Sequence, residues 1–372
     1  MTSPMRYIGL MSGTSLDGVD GVIVTVDGVG AMHVMAHAAL PFNAELRAAL
    51  LDLNQTGLDE LHRASLASNA LARAYAAVVA KLLASTRLHA TEVTAIGAHG
   101  QTVRHQPLLH DGTWYTLQLN NPALLAELSG IDVVADFRTR DLAAGGQGAP
   151  LVPAFHHGVF GRNDATVAVL NIGGISNLSV LAPGAVVRGW DCGPGNALMD
   201  HWCQQHTGQA FDRGGAWAAS GQVLPELLER LMQEHYLHQP PPKSTGRDLF
   251  NPAWLASRLA GFEHAPPQDI QATLTAFTAE ACVSDVQLHA ADAQELIVCG
   301  GGALNDHLMQ LLRQGLPALE VVSSSARGLP PLQVEAAAFA WLAHKCVRRE
   351  PASLPSVTGA QGARVLGAIY PR

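Results

Sequence analysis

The stretch Tyr7 to Asp20, YIGLMSGTSLDGVD, places a turn of glycines and hydroxyls between two apolar runs: Ser12-Gly13-Thr14-Ser15, then Leu16-Asp17-Gly18. Such a turn can gather backbone N–H groups and O–H donors around one anion, because glycine brings no side chain and reaches conformations closed to other residues. A second turn of this kind, Ile172-Gly173-Gly174-Ile175-Ser176-Asn177, follows the buried run 167–171. A third cluster, Gly300-Gly301-Gly302, stands where the run 296–299 meets a helical stretch expected from Ala303. Two facing turns could grip a polyphosphate from both sides, with the helix N-terminus at Ala303 adding N–H donors. Ligand-free hairpins, and tight helix–strand packing at the three glycines, would leave the same pattern. Neither GxxxxGK[ST] nor the dinucleotide fingerprint occurs, so any nucleotide site is of another kind.

The elements that must hold these turns repeat. Strand-like runs at 7–11, 22–26 and 32–39 precede helices at 44–53 and 58–88. A buried strand at 93–98 ends in His99-Gly100-Gln101-Thr102; strands at 115–119 and 131–135 flank a helix opened by Asn121-Pro122. Then Asp136-Phe137-Arg138-Thr139-Arg140-Asp141 leads to a Gly145–Gly148 loop and a helix at 151–160. From 167 the opening pattern returns as strands at 167–171, 178–181 and 186–190 around glycine turns, about 160 residues after the first, which suggests two related domains. Helices at 197–206, 223–238, 252–260, 268–289, 303–313 and 332–347 follow, with strands at 296–299 and 319–322 and an irregular tail at 351–372.

Composition fits a folded chain of one or two domains: of 372 residues, 48% are hydrophobic and 15% charged, enough for sizeable cores. The net charge of −8, with no basic run longer than Arg348-Arg349, argues against a nucleic-acid surface. With no run of 18 apolar residues and no charged-then-apolar leader before Tyr7, neither a membrane span nor the usual secretion signal is expected. Five scattered cysteines, none in a CxxC pair, read as reduced thiols in a cytoplasm. The histidines form no HExxH, and the neighbours His156 and His157 cannot face one metal from one helix face, so no structural metal is expected.

The segments GLMSGTSLDGVD, AHGQT, DFRTRD, GGQGAPLVP, LNIGGISNLS, DCGPGNALMD, CGGGALN and SVTGA…LGAIYP together resemble the anhydro-N-acetylmuramic acid kinases, in order and over essentially the whole chain. The resemblance implies an α/β, two-domain actin-like ATPase fold (a duplicated ribonuclease H-like fold) with a central active-site cleft that closes over ATP. The expected domains are 1–135 and 136–349, with the tail 350–372 packing back on the first. It also implies the reaction: ATP phosphorylates O6 of 1,6-anhydro-N-acetylmuramic acid while water opens the anhydro bridge, giving N-acetylmuramic acid 6-phosphate in peptidoglycan recycling. Cleavage of this kind normally needs a base for water and an acid for the leaving oxygen. Here phosphorus captures the leaving oxygen, so one carboxylate suffices.

By the resemblance that base is Asp191, placed at a strand end before Gly193-Pro194-Gly195; a turn or N-cap carboxylate would look alike. Gly13, Thr14, Ser15, Leu16, Asp17, Gly18, Val19 and Asp20 would hold the ATP phosphates, with Asp17 on Mg²⁺, directly or through water. Gly173, Gly174 and Asn177 would form the opposing phosphate loop, and Gly301, Gly302 and Asn305 the adenosine side. For the sugar acid, the lactyl carboxylate calls for a guanidinium or N–H donors. Arg138 and Arg140 alternate along what reads as an extended segment, so only one need face the substrate, and the sequence does not say which. His99, Gln101, Thr102 and Glu335 are the remaining sugar contacts by resemblance, Glu335 also having a plain helix-dipole explanation. Lys243 and Arg247 of KSTGRD could touch phosphate or be solvated. A homodimer is compatible with the family. Two other readings stay open: a plain sugar or carboxylate kinase without the hydrolytic step, and a nucleotide-gated binding protein.

Overall fold

A computed structural model describes residues 4–13, 16–27, 32–106, 112, 114–246 and 249–372. The chain divides into two compact units, Met1–Val159 with Gln333–Arg372, and Phe160–Leu332.

The first unit is built on a six-stranded sheet. β1 (Met5–Met11), β2 (Gly18–Val26) and β3 (Met32–Pro41) form an antiparallel meander, and β4 (Ala95–Ala98) joins β1 in parallel. β5 (Gln101–Gln106) and β6 (Tyr115–Leu119) form a separate two-stranded ribbon, so Gln101 and Thr102 lie in a strand the sequence did not announce. β7 (Val133–Ala135) continues the main sheet in parallel beyond β4. Strand alternation gives this sheet two buried faces. On one, Ile8, Leu10, Ile23 and Ile96 meet Leu71, Tyr75, Val78 and Leu82 of the helix Glu60–Thr86. Among the described residues this is the one helix long and apolar enough to cross a membrane, and its apolar face is the one turned to the sheet.

On the other face lies the alanine-rich helix Val334–Val347. It comes so close that a Cβ on Gly9 would overlap the carbonyl of Ala336, and one on Gly97 that of Phe339. That packing places 333–349 with the first unit, as the helix Val152–Phe160 also starts there; the division therefore falls at 159/160 and 332/333 rather than at 135/136 and 349/350.

The second unit repeats the plan. β8 (Thr166–Ile172), β9 (Ile175–Leu181) and β10 (Arg188–Pro194) are antiparallel, β11 (Ala293–Cys299) runs parallel to β8, and β12 (Glu320–Ser323) parallel to β11. The sheet order β10-β9-β8-β11-β12 matches β3-β2-β1-β4-β7 of the first unit, which is the duplication expected from the sequence. Its core gathers Trp190 and Phe250 with Phe277 of the long helix Pro267–His289. In the first unit the tail adds β13 (Ala368–Tyr370), antiparallel to β7, as its expected packing required.

Candidate active site

In the second unit the candidate base is Asp191. The strand expected to end at 190 continues to Pro194, so Asp191 lies inside β10, at a bulge between Asp191 and Gly193. Cross-strand partners share a face. Asn171 of β8 pairs with Asn177 of β9, and Asn177 with Asp191, which sets two amides and a carboxylate in one row. Asp191 Oδ2 accepts hydrogen bonds from Ser244 Oγ (2.8 Å) and the Thr245 N–H (3.0 Å); none from a described residue falls on Oδ1. Burial pushes the carboxyl pKa up, and the Thr245 and Ser244 hydrogen bonds pull it partly back. A carboxylate with a raised pKa, anchored through one oxygen, suits a general base.

Around the second turn, N–H groups of Gly195, Asn196 and Ala197 donate to the carbonyls of Gly174 (3.0 Å), Gly173 (2.7 Å) and Gly174 again (3.2 Å), and Asn196 Nδ2 donates to the Ile172 carbonyl (3.0 Å). The DCGPGN segment therefore clamps the Ile172–Asn177 turn from below. Gly300, at φ 77°, and Gly302 leave no room for a Cβ against Ile172, while Gly301 is exposed. So two of the three glycines serve close packing and one opens a surface. The helix expected from Ala303 begins only at Asp306, after a 3₁₀ turn Gly301–Leu304, and Asn305 Oδ1 caps it by accepting from the Leu308 N–H (3.0 Å). Asn305 thus has a structural duty as N-cap.

Lys243 is neither solvated nor free for phosphate. Its side chain is 2% exposed and its Nζ donates to Asp285 Oδ1 (3.2 Å) and the Leu237 carbonyl (3.1 Å). Arg247 lies outside the described residues, as do Thr14 and Ser15.

In the first unit the turn after β1 is tied down from beneath. Buried Ser12 donates through Oγ to the Gly100 carbonyl (3.1 Å) and meets Tyr75 Oη (3.1 Å), which accepts from the Gly100 N–H (3.1 Å). Gln101 Nε2 donates to the Gly13 carbonyl (3.1 Å), so Gln101, 1% exposed, supports the turn itself. Leu16 adopts φ 58° and buries its side chain with Leu46, Leu50 and Val103. A left-handed leucine costs about 1–2 kcal/mol and persists only where its surroundings impose it. Asp17 is exposed; Gly18 and Val19 enter β2, with no space for a Cβ on Gly18 beside the Leu40 carbonyl; Asp20 pairs with His37 (3.1 Å).

Arg138 and Arg140 are not on an extended strand. Asp136 turns the chain at φ 59°, and a short helix Thr139–Leu142 follows, leaving Arg140 exposed and turning Arg138 inward. Arg138 Nε and Nη2 donate to His99 Nε2 (3.2 and 2.9 Å), and Nη1 to the Gly148 carbonyl (2.8 Å). Glu335, in the first turn of Val334–Val347, and Asp141 support its charge, while burial brings the guanidinium pKa to about 10. Of the residues implied for the sugar, His99, Arg138 and Glu335 thus come together, whereas Thr102 Oγ1 accepts from Gln118 Nε2 (3.2 Å) on the ribbon. Sequence reasoning passed over Asp141, whose oxygens accept from the Gly148 N–H (2.9 Å) and Thr358 Oγ1 (2.9 Å). That pair joins the GGQGAP loop to the SVTGA tail, two motifs that local spacing alone does not connect.

Comparison with known proteins agrees across the full length. The family model for anhydro-N-acetylmuramic acid kinase matches residues 5–372. The chain is similar to anhydro-N-acetylmuramic acid kinase of Variovorax paradoxus (strain S110), 66% identical over 370 residues, 98% of each chain. It is also similar to the proteins of that name from Albidiferax ferrireducens, 60% identical over 98% of this chain and 99% of the relative, and from Cupriavidus metallidurans, 57% identical over 100% and 98%.

Proposed function

The chain belongs to the anhydro-N-acetylmuramic acid kinase family and is an ATP-dependent kinase of that sugar acid, and from this premise we propose how its own residues do the work. The observation that carries the reading is the Asp191 carboxylate, raised in pKa and held through Oδ2 by Ser244 and Thr245.

Asp191 acts as the base. Its Oδ1 takes a proton from water as the water oxygen bonds to C1 of the sugar. The C1–O6 bond breaks, and O6 forms its new bond to the γ-phosphorus while the bridge to the β-phosphate breaks to give ADP. No separate acid is needed, because phosphorus receives the leaving oxygen. Arg138, held by His99, presents its remaining N–H groups to the lactyl carboxylate, and Glu335 accepts from a sugar hydroxyl. Arg140 is exposed and makes none of these contacts to His99 and Gly148, so Arg138 is the arginine assigned to the carboxylate.

Each unit offers a glycine turn to ATP phosphate, Gly13 to Asp20 in the first and Gly173-Gly174 with Asn177 in the second, and in the second the exposed Gly301 leaves room for a nucleoside. Mg²⁺ fits what is present: a site of this class uses one or two carboxylates together with substrate phosphates, and Asp17 is an exposed carboxylate at the phosphate turn. When bound there, the ion would offset phosphate charge. The five free cysteines support a cytoplasmic setting.

The test is product mass after incubation with Mg-ATP and 1,6-anhydro-N-acetylmuramic acid in ¹⁸O-water. One phosphate and one labelled oxygen in the product are expected. A phosphorylated product without label would reduce the reaction to simple kinase chemistry and remove the activation of water by Asp191.

A further inference from the structure

Asp191 sits on β10, an edge strand of its sheet, whose outer backbone groups therefore need partners from elsewhere. They find them in the irregular segment 236–245. Lys243 accepts the Asp191 N–H at its carbonyl (3.1 Å), and Tyr236 Oη donates to the Asp191 carbonyl (2.8 Å). The next two residues, Ser244 and Thr245, supply both hydrogen bonds to the carboxylate. This segment contains Pro240-Pro241-Pro242, which offer no backbone N–H, and no regular element beyond a 3₁₀ turn, His235–His238, so no ladder of backbone hydrogen bonds holds it in register with β10.

What fixes it is buried charge. Lys243 Nζ reaches Asp285 of the helix Pro267–His289 and lies 5.3 Å from the centre of the Tyr236 ring. The other oxygen of Asp285 accepts from Trp190 Nε1 (2.8 Å), on the residue just before Asp191. Both side chains of the pair are under a tenth exposed. A buried ion pair adds little stability over apolar residues of the same volume, and what it can add is a unique arrangement.

We infer that the Lys243–Asp285 ion pair is a positioning device for Asp191, fixing the segment that orients its carboxylate and the strand that carries it. Lys243 and Asp285 touch neither substrate nor reacting atom. The inference rests on the reading of Asp191 as the base.

The experiment compares full-length Lys243→Met, Asp285→Asn and the double variant Lys243→Met/Asp285→Asn, with Asp191→Asn as reference. Lys243→Met should lower kcat about 100-fold, the scale of a misplacement near 1 Å. KM for ATP and for the sugar acid should stay within about twofold, because neither binding surface is altered. The double variant should regain about tenfold over Lys243→Met, since no unpaired charge remains buried and the new amide still accepts from Trp190. A wild-type kcat in Lys243→Met, a loss confined to KM, or a double variant no better than Lys243→Met would each overturn the inference. If Lys243→Met does not fold, Asp285→Asn keeps the side chain's shape and its acceptor for Trp190 Nε1 while removing the charge that Lys243 faces, and an unchanged kcat there overturns it equally. Turnover persisting in Asp191→Asn would instead sink the reading of the base, whereas its loss alongside full activity in Lys243→Met sinks only the positioning role.

Discussion

Arg138 directs two N–H groups, from Nε and Nη2, onto a single acceptor, Nε2 of His99, at 3.2 and 2.9 Å. A guanidinium has only donors, so this nitrogen carries no proton and the His99 ring is neutral and protonated at Nδ1. Burial and the neighbouring guanidinium hold its pKa down to about 3. His99 is thereby excluded as an acid or base near neutral pH and left as a support that aims Arg138.

The first prediction follows from that support. Arg138→Lys should lower kcat/KM for the sugar acid by about 10- to 100-fold, because a lysine cannot reproduce the fork that reaches His99, Gly148 and, in the proposed function, the substrate. ATP affinity should not move. Arg140→Ala should leave both parameters within about twofold. Steady-state kinetics in each substrate decide this, and a larger loss at Arg140 would reverse the assignment.

Asp191→Asn should lose on the order of 10³-fold in kcat, the scale of a missing general base. Its effect on stability has the opposite sign from most buried substitutions. The folded pKa of Asp191 is raised, so the stabilisation that protonation provides is complete below the unfolded value and is lost as pH rises through the folded one. At neutral pH the buried ionised group opposes folding, and an asparagine still accepts from Ser244 and Thr245. Thermal unfolding at pH 7 should come at or above the wild-type temperature; a clear drop would contradict the burial argument.

Ser244→Ala removes one donor from the ionised form of Asp191. The carboxyl pKa should then climb further, and the acid limb of kcat against pH should move to higher pH. An unmoved limb would show that Ser244 does not act on the group that titrates in turnover.

His99 and His156 are both buried, and both are held at about 3. A histidine whose folded pKa is lowered contributes stability that is present above its unfolded value and lost as pH falls below it. Urea unfolding from pH 7 to pH 5 should therefore show stability falling below about pH 6.5, by about 1.4 kcal/mol per pH unit for each such histidine. His156→Gln should reduce that slope by one proton's worth, and an unchanged slope would mean that His156 does not titrate on unfolding.

Gly97→Ala tests the close approach of the helix Val334–Val347 to β4. A methyl group there has no space beside the Phe339 carbonyl, so about 1–3 kcal/mol of stability should be lost. Chemical unfolding measures it, and a neutral result would mean the helix can shift outward without penalty.

Much of this protein could be read along the chain, because the signals involved are local. Alternating apolar runs gave the meanders, the glycine turns gave their connections, and the return of the pattern near 167 disclosed the second unit. Asp191 and the two glycine turns were singled out through their motifs. What sequence could not convey were contacts between residues far apart. Arg138 is turned inward and Arg140 left exposed by the left-handed turn at Asp136 and by His99, 39 residues earlier. Lys243 became an anchor through Asp285, 42 residues on, and the GGQGAP loop met the tail through Asp141 and Thr358, 217 residues apart. Periodicity and turn chemistry are properties of neighbouring residues and act before the chain is compact. The partner of a buried charge is decided only when packing removes water and leaves one group within reach.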